Sequence, residues 1–110
     1  MIYDLRFKNV LLIDTSSNQI IKVGLRIDKK TDIIEQKIDK QKAQVVLPLI
    51  DKLLSKHKLK LAEITSIEVN IGPGSFTGLR VGIAIANALG FLLKVPINGG
   101  KIGVFVEPFY

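Results

Sequence analysis

The chain has 110 residues, of which 47% are hydrophobic and 24% are charged. This length corresponds to one domain that buries about two-thirds of its unfolded surface, and the composition is too apolar for a disordered chain. The absence of cysteine excludes disulfides and thiolate metal sites. A single histidine, His57, excludes metal sites built on several histidines.

The chain shows neither a targeting signal nor a membrane span. Its N-terminal segment, MIYDLRFKNV, lacks the charged start, apolar stretch and cleavage site of a signal peptide. The longest apolar run, Val81 to Leu93, has 13 residues including Asn87, whereas a span needs about 18. The sequence therefore predicts a cytoplasmic protein that does not contact a membrane.

The formal net charge is +6, and the basic excess is densest in one segment. Lys52–Lys60 contains four lysines and His57 but no acidic residue. Cations at the C-terminal end of a helix suit its dipole, whereas the alternative is a patch that contacts RNA phosphates directly. Because no aromatic residue is interleaved with these charges, the pattern favours the helix-end interpretation.

Three strands are predicted in the first 38 residues. The apolar run Val10–Ile13 predicts a strand that ends at the turn 14–18. The alternating, β-branched stretch Gln19–Asp28 predicts a second strand. A hairpin turn at 28–30 then leads to a third, more polar strand over 31–38.

Helical spacing of the apolar residues begins near residue 41. It predicts a helix over 42–56, with Pro48 in its first turns because proline lacks a backbone donor. The remaining predicted elements are a turn (61–64), a buried strand (66–71), a Gly-rich loop (72–78), a second helix (79–93), a strand start (95–97) and a tail (98–110).

The element order β-β-β-α-β-α-β predicts an α/β fold in which two helices pack on one mixed sheet. It is the order of an RNase H-like half-domain, although order alone also fits other α+β folds. Because no linker or repeat interrupts the chain, we expect one domain over 1–110, with a core at about 8–97 and a short tail over 98–110.

The Gly-rich loop joins a strand to a helix, and such a junction presents backbone N–H groups that can hold a phosphate. Its residues are Gly72, Pro73, Gly74, Ser75, Phe76, Thr77 and Gly78. Both common phosphate motifs fail, because Leu79 and Arg80 replace the Lys and Ser/Thr of a Walker A loop and the last glycine spacing is too long for a dinucleotide fingerprint. A tight turn is the favoured interpretation, with nucleotide binding as the alternative.

Two further side chains are candidates for chemistry. Ser75 lacks the flanking glycines of a nucleophile elbow, and the only candidate base is His57. Asp14 ends the first strand, where a carboxylate can hold a metal–phosphate complex, but no second carboxylate accompanies it. We therefore predict no catalytic set and no metal site, and Asp14 is expected to cap its own turn.

The second predicted helix is apolar on all its faces. Its only charge is Arg80, and small residues recur every four positions, so another element can approach closely. Because one sheet covers only one face, the two helices either cover each other or form a partner interface, which we favour. The predicted interface residues are Val46, Leu49, Ile50, Leu53, Gly78, Arg80, Gly82, Ile83, Ala86 and Gly90. Polar substitution at Leu53 or Ile83, or Gly82→Leu, is expected to abolish pairing and leave the domain folded.

Four segments, in order along the chain, resemble one known family. They are Val10-Leu-Leu-Ile-Asp-Thr-Ser-Ser17, Val46-Leu-Pro-Leu-Ile-Asp-Lys-Leu-Leu54, Leu59-Lys-Leu-Ala-Glu-Ile64 and, above all, Ile71-Gly-Pro-Gly-Ser-Phe-Thr-Gly-Leu-Arg-Val-Gly82. Together they resemble TsaB, the dimerisation subunit of the bacterial machinery that makes threonylcarbamoyladenosine in tRNA. The similarity covers about residues 8–97.

The resemblance implies an actin-like, RNase H-like lobe without catalysis of its own. It implies that the two helices bind a TsaD-like transferase, that a TsaE-like ATPase joins the assembly, and that the chain forms a homodimer when alone. Contact with tRNA would be indirect, and ATP or ADP and metal would belong to the partner subunits. The metal-binding histidine motif of TsaD-type relatives is missing from the helix matching 44–56, so metal and catalytic roles are not carried over.

Two departures from the family pattern stand out. The usual second lobe would follow Pro96, but the chain has only fourteen further residues. Lys42 stands where the first helix of the family often begins with His or Ser. The alternatives to a scaffold are a stand-alone nucleotide-binding protein using Gly72–Gly78 and a basic tRNA-binding module using Lys52–Lys60.

Overall fold

The computed structural model describes residues 8–38 and 42–109. The elements, in chain order, are β1 (Asn9–Asp14), β2 (Ile20–Ile27), β3 (Lys30–Lys37), α1 (Lys42–Lys56), a 3-10 turn (Leu61–Glu63), β4 (Ser66–Val69) and α2 (Phe76–Leu93). This is the predicted order, except that the strand expected at 95–97 reduces to one parallel bridge between Ile67 and Ile97.

The four strands form one mixed sheet in the order β3-β2-β1-β4. The β1–β2 and β2–β3 pairs are antiparallel, whereas β4 runs parallel to β1. Leu11 in β1 lies between Leu25 of β2 and Ile67 of β4, which sets the register of the apolar side chains. The outer strand β3 is mostly exposed and polar, as suits a sheet edge that must not pair with another chain.

Both helices lie on the same face of the sheet. Side chains alternate between faces along a strand, and Leu11, Ile21, Val23 and Ile67 are fully buried on the helix side. There α1 contacts β2 and β3, α2 contacts β1 and β4, and the helices contact each other. The opposite face carries an Arg26–Glu68 ion pair of 2.7 Å among partly exposed side chains. The predicted α/β half-domain is therefore confirmed.

The helix α2 begins three residues earlier than its apolar pattern predicts. Ser75 is its N-cap, and its Oγ accepts a hydrogen bond from the Gly78 N–H at 3.3 Å. The helix ends at Leu93, and its C-cap residue Lys94 adopts a left-handed conformation with φ 56°. Its 18 residues are long and apolar enough to cross a membrane by length and composition alone. Here one face, including Leu79 and Ala86, is buried in the core, as in the core helix of a globular domain.

The predicted tail folds back along α2. The Asn87 side chain both donates to the Val106 carbonyl and accepts from its N–H, each at 3.0 Å. The Phe105 ring meets Phe91 edge to face, and the Phe109 N–H donates to the Ile71 carbonyl at 2.6 Å. The tail therefore covers one flank of the second helix.

Candidate partner-binding face and the loop beside it

Nine of the ten residues predicted to contact a partner lie inside the core of the chain itself. Leu53 is 1% exposed, Ile83 4% and Ala86 0%, and of the ten only Arg80 is exposed. This is the alternative in which the helices are covered within the domain, so a partner can reach only their outer residues. The expectation that polar substitution at Leu53 or Ile83, or Gly82→Leu, leaves the domain folded is corrected for the same reason.

The small residues of α2 pack against the end of β1 rather than against a partner. Thr15, directly after β1, is fully buried; its hydroxyl donates to the Gly78 carbonyl at 2.6 Å and accepts from the Gly82 N–H at 3.0 Å. A Cβ on Gly82 would lie 2.5 Å from the Thr15 Oγ1, and one on Gly90 would lie 2.6 Å from Ile97. The glycines therefore allow the helix to approach the sheet closely.

Sequence reasoning missed this role of Thr15, although the strand pattern contains a signal. Leu11 and Ile13 face the helices, and side chains alternate between the two faces of a strand. Thr15 is therefore expected to face the helices as well. A hydroxyl that faces the glycines of α2 can hydrogen-bond to the helix backbone without increasing the distance between β1 and α2. Thr15 therefore fixes the spacing between β1 and α2.

The exposed arc of α2 is largely apolar. We call this arc, together with the exposed apolar residues of α1, the outer helix face. Its members on α2 are Phe76, Thr77, Arg80, Ala84, Ala88, Phe91 and Leu92, and its apolar members on α1 are Leu47 and Pro48. Phe91 and Leu92 are 69% and 68% exposed, and the Arg80 guanidinium lies 4.5 Å from the centre of the Phe76 ring. Exposed apolar areas are typical of surfaces that bind partners.

The Gly72–Gly78 loop closes onto the end of β1. The Gly72–Pro73 peptide is cis and Gly72 has φ 135°, a conformation that favours glycine. The Ser75 N–H donates to the Ser16 carbonyl at 2.8 Å, and a Cβ on Gly74 would meet Ser16 at 2.7 Å. The predicted tight turn between strand and helix is confirmed in this geometry.

Asp14 caps its own turn, as predicted. Its Oδ1 accepts from the Ser16 N–H at 2.9 Å and from the Ser16 hydroxyl at 2.6 Å. Burial raises the pKa of the Asp14 carboxyl, but the hydrogen bonds from Ser16 and Asn70 outweigh burial and hold the pKa below its ordinary value. The carboxylate is therefore ionised and engaged by its own loop.

Lys42 occupies the space between this turn and the start of α2. Its ammonium donates to the carbonyls of Thr15 at 3.2 Å and Ser17 at 2.7 Å, and it is the atom nearest to a Cβ built on Gly78. Burial lowers the pKa of the Lys42 ammonium. The structure thus brings the turn that contains Asp14 against the Gly72–Gly78 loop, as the nucleotide-binding alternative requires, with the Lys42 ammonium beside Thr15, Ser17 and Gly78.

The remaining candidate groups, His57 and Ser75, make contacts in two different places. His57 lies at the C-terminal end of α1, where its Nε2 is 2.8 Å from the Asp32 Oδ2, while the Ser75 hydroxyl caps α2. Among residues 8–38 and 42–109, no group of three or more His, Cys, Asp or Glu side chains is placed to hold a metal ion.

Comparison with known proteins gives a consistent result. The family model described as TsaD: tRNA N6-adenosine threonylcarbamoyltransferase matches residues 26–99. A protein named tRNA threonylcarbamoyladenosine biosynthesis protein TsaB from Buchnera aphidicola subsp. Schizaphis graminum is 36% identical over 92 residues, which is 82% of this chain and 42% of that protein. The Escherichia coli K12 protein of the same name is 31% identical, over 82% of this chain and 38% of its own length.

Solved structures match the fold as well. YeaZ from Pseudomonas aeruginosa superposes with a TM-score of 0.77 at 29% identity, over 86% of this chain and 44% of that one. A second structure, described as an uncharacterized protein with similarity to peptidase YEAZ from the same organism, gives 0.78 over 86% and 43%. The chain spans about two-fifths of the length of these relatives.

The sheet order, the two helices on one face and the Gly72–Gly78 turn define an actin-like, RNase H-like half-domain. The chain belongs to the family described by the TsaD model, and within it to the TsaB group. The predicted resemblance is confirmed.

Proposed function

We propose that this chain is a non-catalytic, cytoplasmic subunit of tRNA threonylcarbamoyladenosine synthesis that binds a TsaD-like transferase through the outer helix face. The observation that carries the proposal is the exposed, apolar arc of α2. The opposite side of this helix is buried in the core of the domain. The names of the relatives support the pathway. In the same proposal a TsaE-like ATPase joins the assembly, and the chain forms a homodimer through this face when alone.

The shape of the exposed arc supports the choice of surface. Ala84 and Ala88 lie at its middle, one helical turn apart, so a partner helix can approach the backbone of α2 closely there. Large apolar side chains flank these alanines, with Phe76 at the start of the helix and Leu92 near its end. Leu47 is 52% exposed on α1, which contacts α2 on the same face of the sheet.

Burial of these large side chains against a partner would stabilise the complex. Apolar surface removed from water contributes about 25 cal/mol for each Å². The partner is therefore expected to present a matching apolar surface.

The test is the light-scattering mass of the purified chain, alone and mixed with the TsaD homologue of the same organism. The expected result is a complex with one copy of each, and a homodimer of the chain alone. Ala84→Glu and Leu47→Glu are expected to abolish both, because each places a charge within the buried surface.

Each variant has a matched control outside the outer helix face. Ala62→Glu makes the same change as Ala84→Glu at an exposed position of the 3-10 turn. Ile33→Glu matches Leu47→Glu, since Ile33 is 53% exposed on β3 and pairs with Gly24 on the sheet face opposite the helices. Absence of a complex with the folded wild-type chain, or equal loss with the controls, would overturn the proposal.

The nucleotide-binding alternative has its own test, because the structure does bring Asp14 and the Gly72–Gly78 loop to one place. The Lys42 ammonium beside them already donates to the Thr15 and Ser17 carbonyls of the turn after β1. We expect no thermal stabilisation by ATP or ADP with magnesium. A ligand at 100 times its dissociation constant would add about 2.7 kcal/mol, which is easily measured.

A further inference from the structure

Most of the large apolar side chains that the fold leaves in water lie on the last turn of α2 and on the tail that follows it. Among residues 8–38 and 42–109, nine large hydrophobic side chains are exposed. Two of them, Phe91 and Leu92, belong to α2 and four belong to the tail. We call these four the tail patch: Ile102 at 61% exposure, Val104 at 56%, Phe105 at 57% and Phe109 at 67%.

The tail runs back alongside α2 and is fixed there. Ile102 lines a cleft with the last turn of α2, Asn87 binds both backbone groups of Val106, and the Phe109 N–H donates to the Ile71 carbonyl ahead of the helix. The Val106 side chain is half-buried, whereas those of the tail patch are exposed. Because the backbone is already anchored, a partner would not have to order this segment in order to bind it.

The tail patch continues the outer helix face. The two surfaces meet at Phe91, a member of the outer helix face whose ring contacts Phe105 edge to face, with 6.4 Å between the ring centres. A stable protein–protein interface has about 20–30 residues on each side. The outer helix face has nine members, so it is smaller than such an interface, and the tail patch enlarges it.

A cleft of about 430 Å³ lies between the last turn of α2 and the tail. Its lining residues are Gly90, Phe91, Leu92, Lys94, Ile102 and Gly103. The segment 95–109 contains only two charged residues, Lys101 and Glu107, and their charges cancel, although the whole chain carries +6. An apolar surface without excess charge fits apolar side chains of a protein better than an anionic lipid surface, which attracts clusters of lysine and arginine.

We propose that the tail patch and this cleft are part of the partner-binding surface, so that the protein bound at the outer helix face also covers the tail. A large apolar side chain of that partner fills the cleft, as anchor side chains do in protein interfaces. This inference rests on the proposed function and deepens it, because the partner then contacts residues outside the two helices.

The test is isothermal titration calorimetry of the chain and its variants with the TsaD homologue of the same organism. Ile102→Glu and Val104→Glu are each expected to weaken binding at least about ten-fold, because the complex would bury a charge without a partner. Both side chains are more than half exposed, so the urea midpoints should remain those of the wild type. The matched control is Ile33→Glu, the same change at 53% exposure on the sheet face opposite the helices, and it should bind like the wild type.

The possible outcomes separate this inference from the proposed function. If Ala84→Glu abolishes the complex while both tail variants bind like Ile33→Glu, the tail inference is wrong and the outer helix face remains the interface. If the folded wild-type chain does not bind the homologue, both proposals are wrong. If the tail variants change only the light-scattering mass of the chain alone, a second copy covers the tail patch and the inference is overturned.

Discussion

Replacing Gly82 by alanine tests how closely α2 approaches β1. In an ordinary helix this substitution stabilises by about 1 kcal/mol. Here the new Cβ would lie 2.5 Å from the Thr15 Oγ1 and 3.3 Å from the Ile13 Cγ2, both in the buried core. Neighbouring atoms must move to accommodate the new Cβ. The nearest contacts are the hydrogen bonds that the buried Thr15 hydroxyl makes to the helix backbone.

The expected magnitude follows from three terms. Overpacking a core costs about 1–3 kcal/mol. Leaving a buried backbone group without its partner costs about 1–3 kcal/mol. The helix propensity offsets about 1 kcal/mol, so Gly82→Ala should destabilise by about 1–5 kcal/mol. For a domain of this size each kcal/mol lowers Tm by roughly 4–8 °C.

The assay is urea unfolding of four proteins: wild type, Gly82→Ala, Thr15→Ala and the double variant. Thr15→Ala removes both atoms of that residue that the new Cβ would meet, so the double variant should be more stable than the sum of the single effects by about 0.5–3 kcal/mol. Ala88→Gly, at an exposed position of the same helix, measures the propensity term alone. An increase in stability with Gly82→Ala, or strict additivity with Thr15→Ala, would refute the packing described here.

Three other predictions concern local structure. Lys94→Gly should raise the free energy of unfolding by about 1 kcal/mol in urea titrations, because φ 56° strains a side chain but not glycine; unchanged or lower stability would contradict this. The Lys56 ammonium holds the pKa of the Asp32 carboxyl below its ordinary value, so the stability that this carboxylate contributes is present above the ordinary pKa and is lost as the pH falls through the lower folded pKa. Asp32→Asn should lack this acid-dependent component, and identical pH profiles of wild type and variant would disprove it. Asn87→Ala removes two hydrogen bonds to Val106 and should speed amide exchange in the tail while leaving β1 protected, whereas equal protection of the tail in both proteins would show that other contacts hold it.

Local sequence patterns are sufficient for most of the elements. Alternation in β2 and helical spacing in α1 depend on which side chains face the core, so the predicted and observed bounds agree closely. The predicted start of α2 is late because the apolar pattern begins at Leu79, whereas the helix begins where Ser75 can cap it. The Asp14 turn needs only contacts within two residues, and its prediction is confirmed.

The sequence by itself determined the family, the element order and the turn that joins β4 to α2, because these depend on motifs and local periodicity. Only the tertiary structure decided which apolar residues are buried inside the domain. The reason is that periodicity identifies a buried stripe of a helix but does not show whether a strand or a partner covers it. The stripe of α2 meets Thr15 from 67 residues away, and Lys56 meets Asp32 across a different element. Such contacts arise from how the sheet and helices pack, so the outer helix face appears only once the chain is folded.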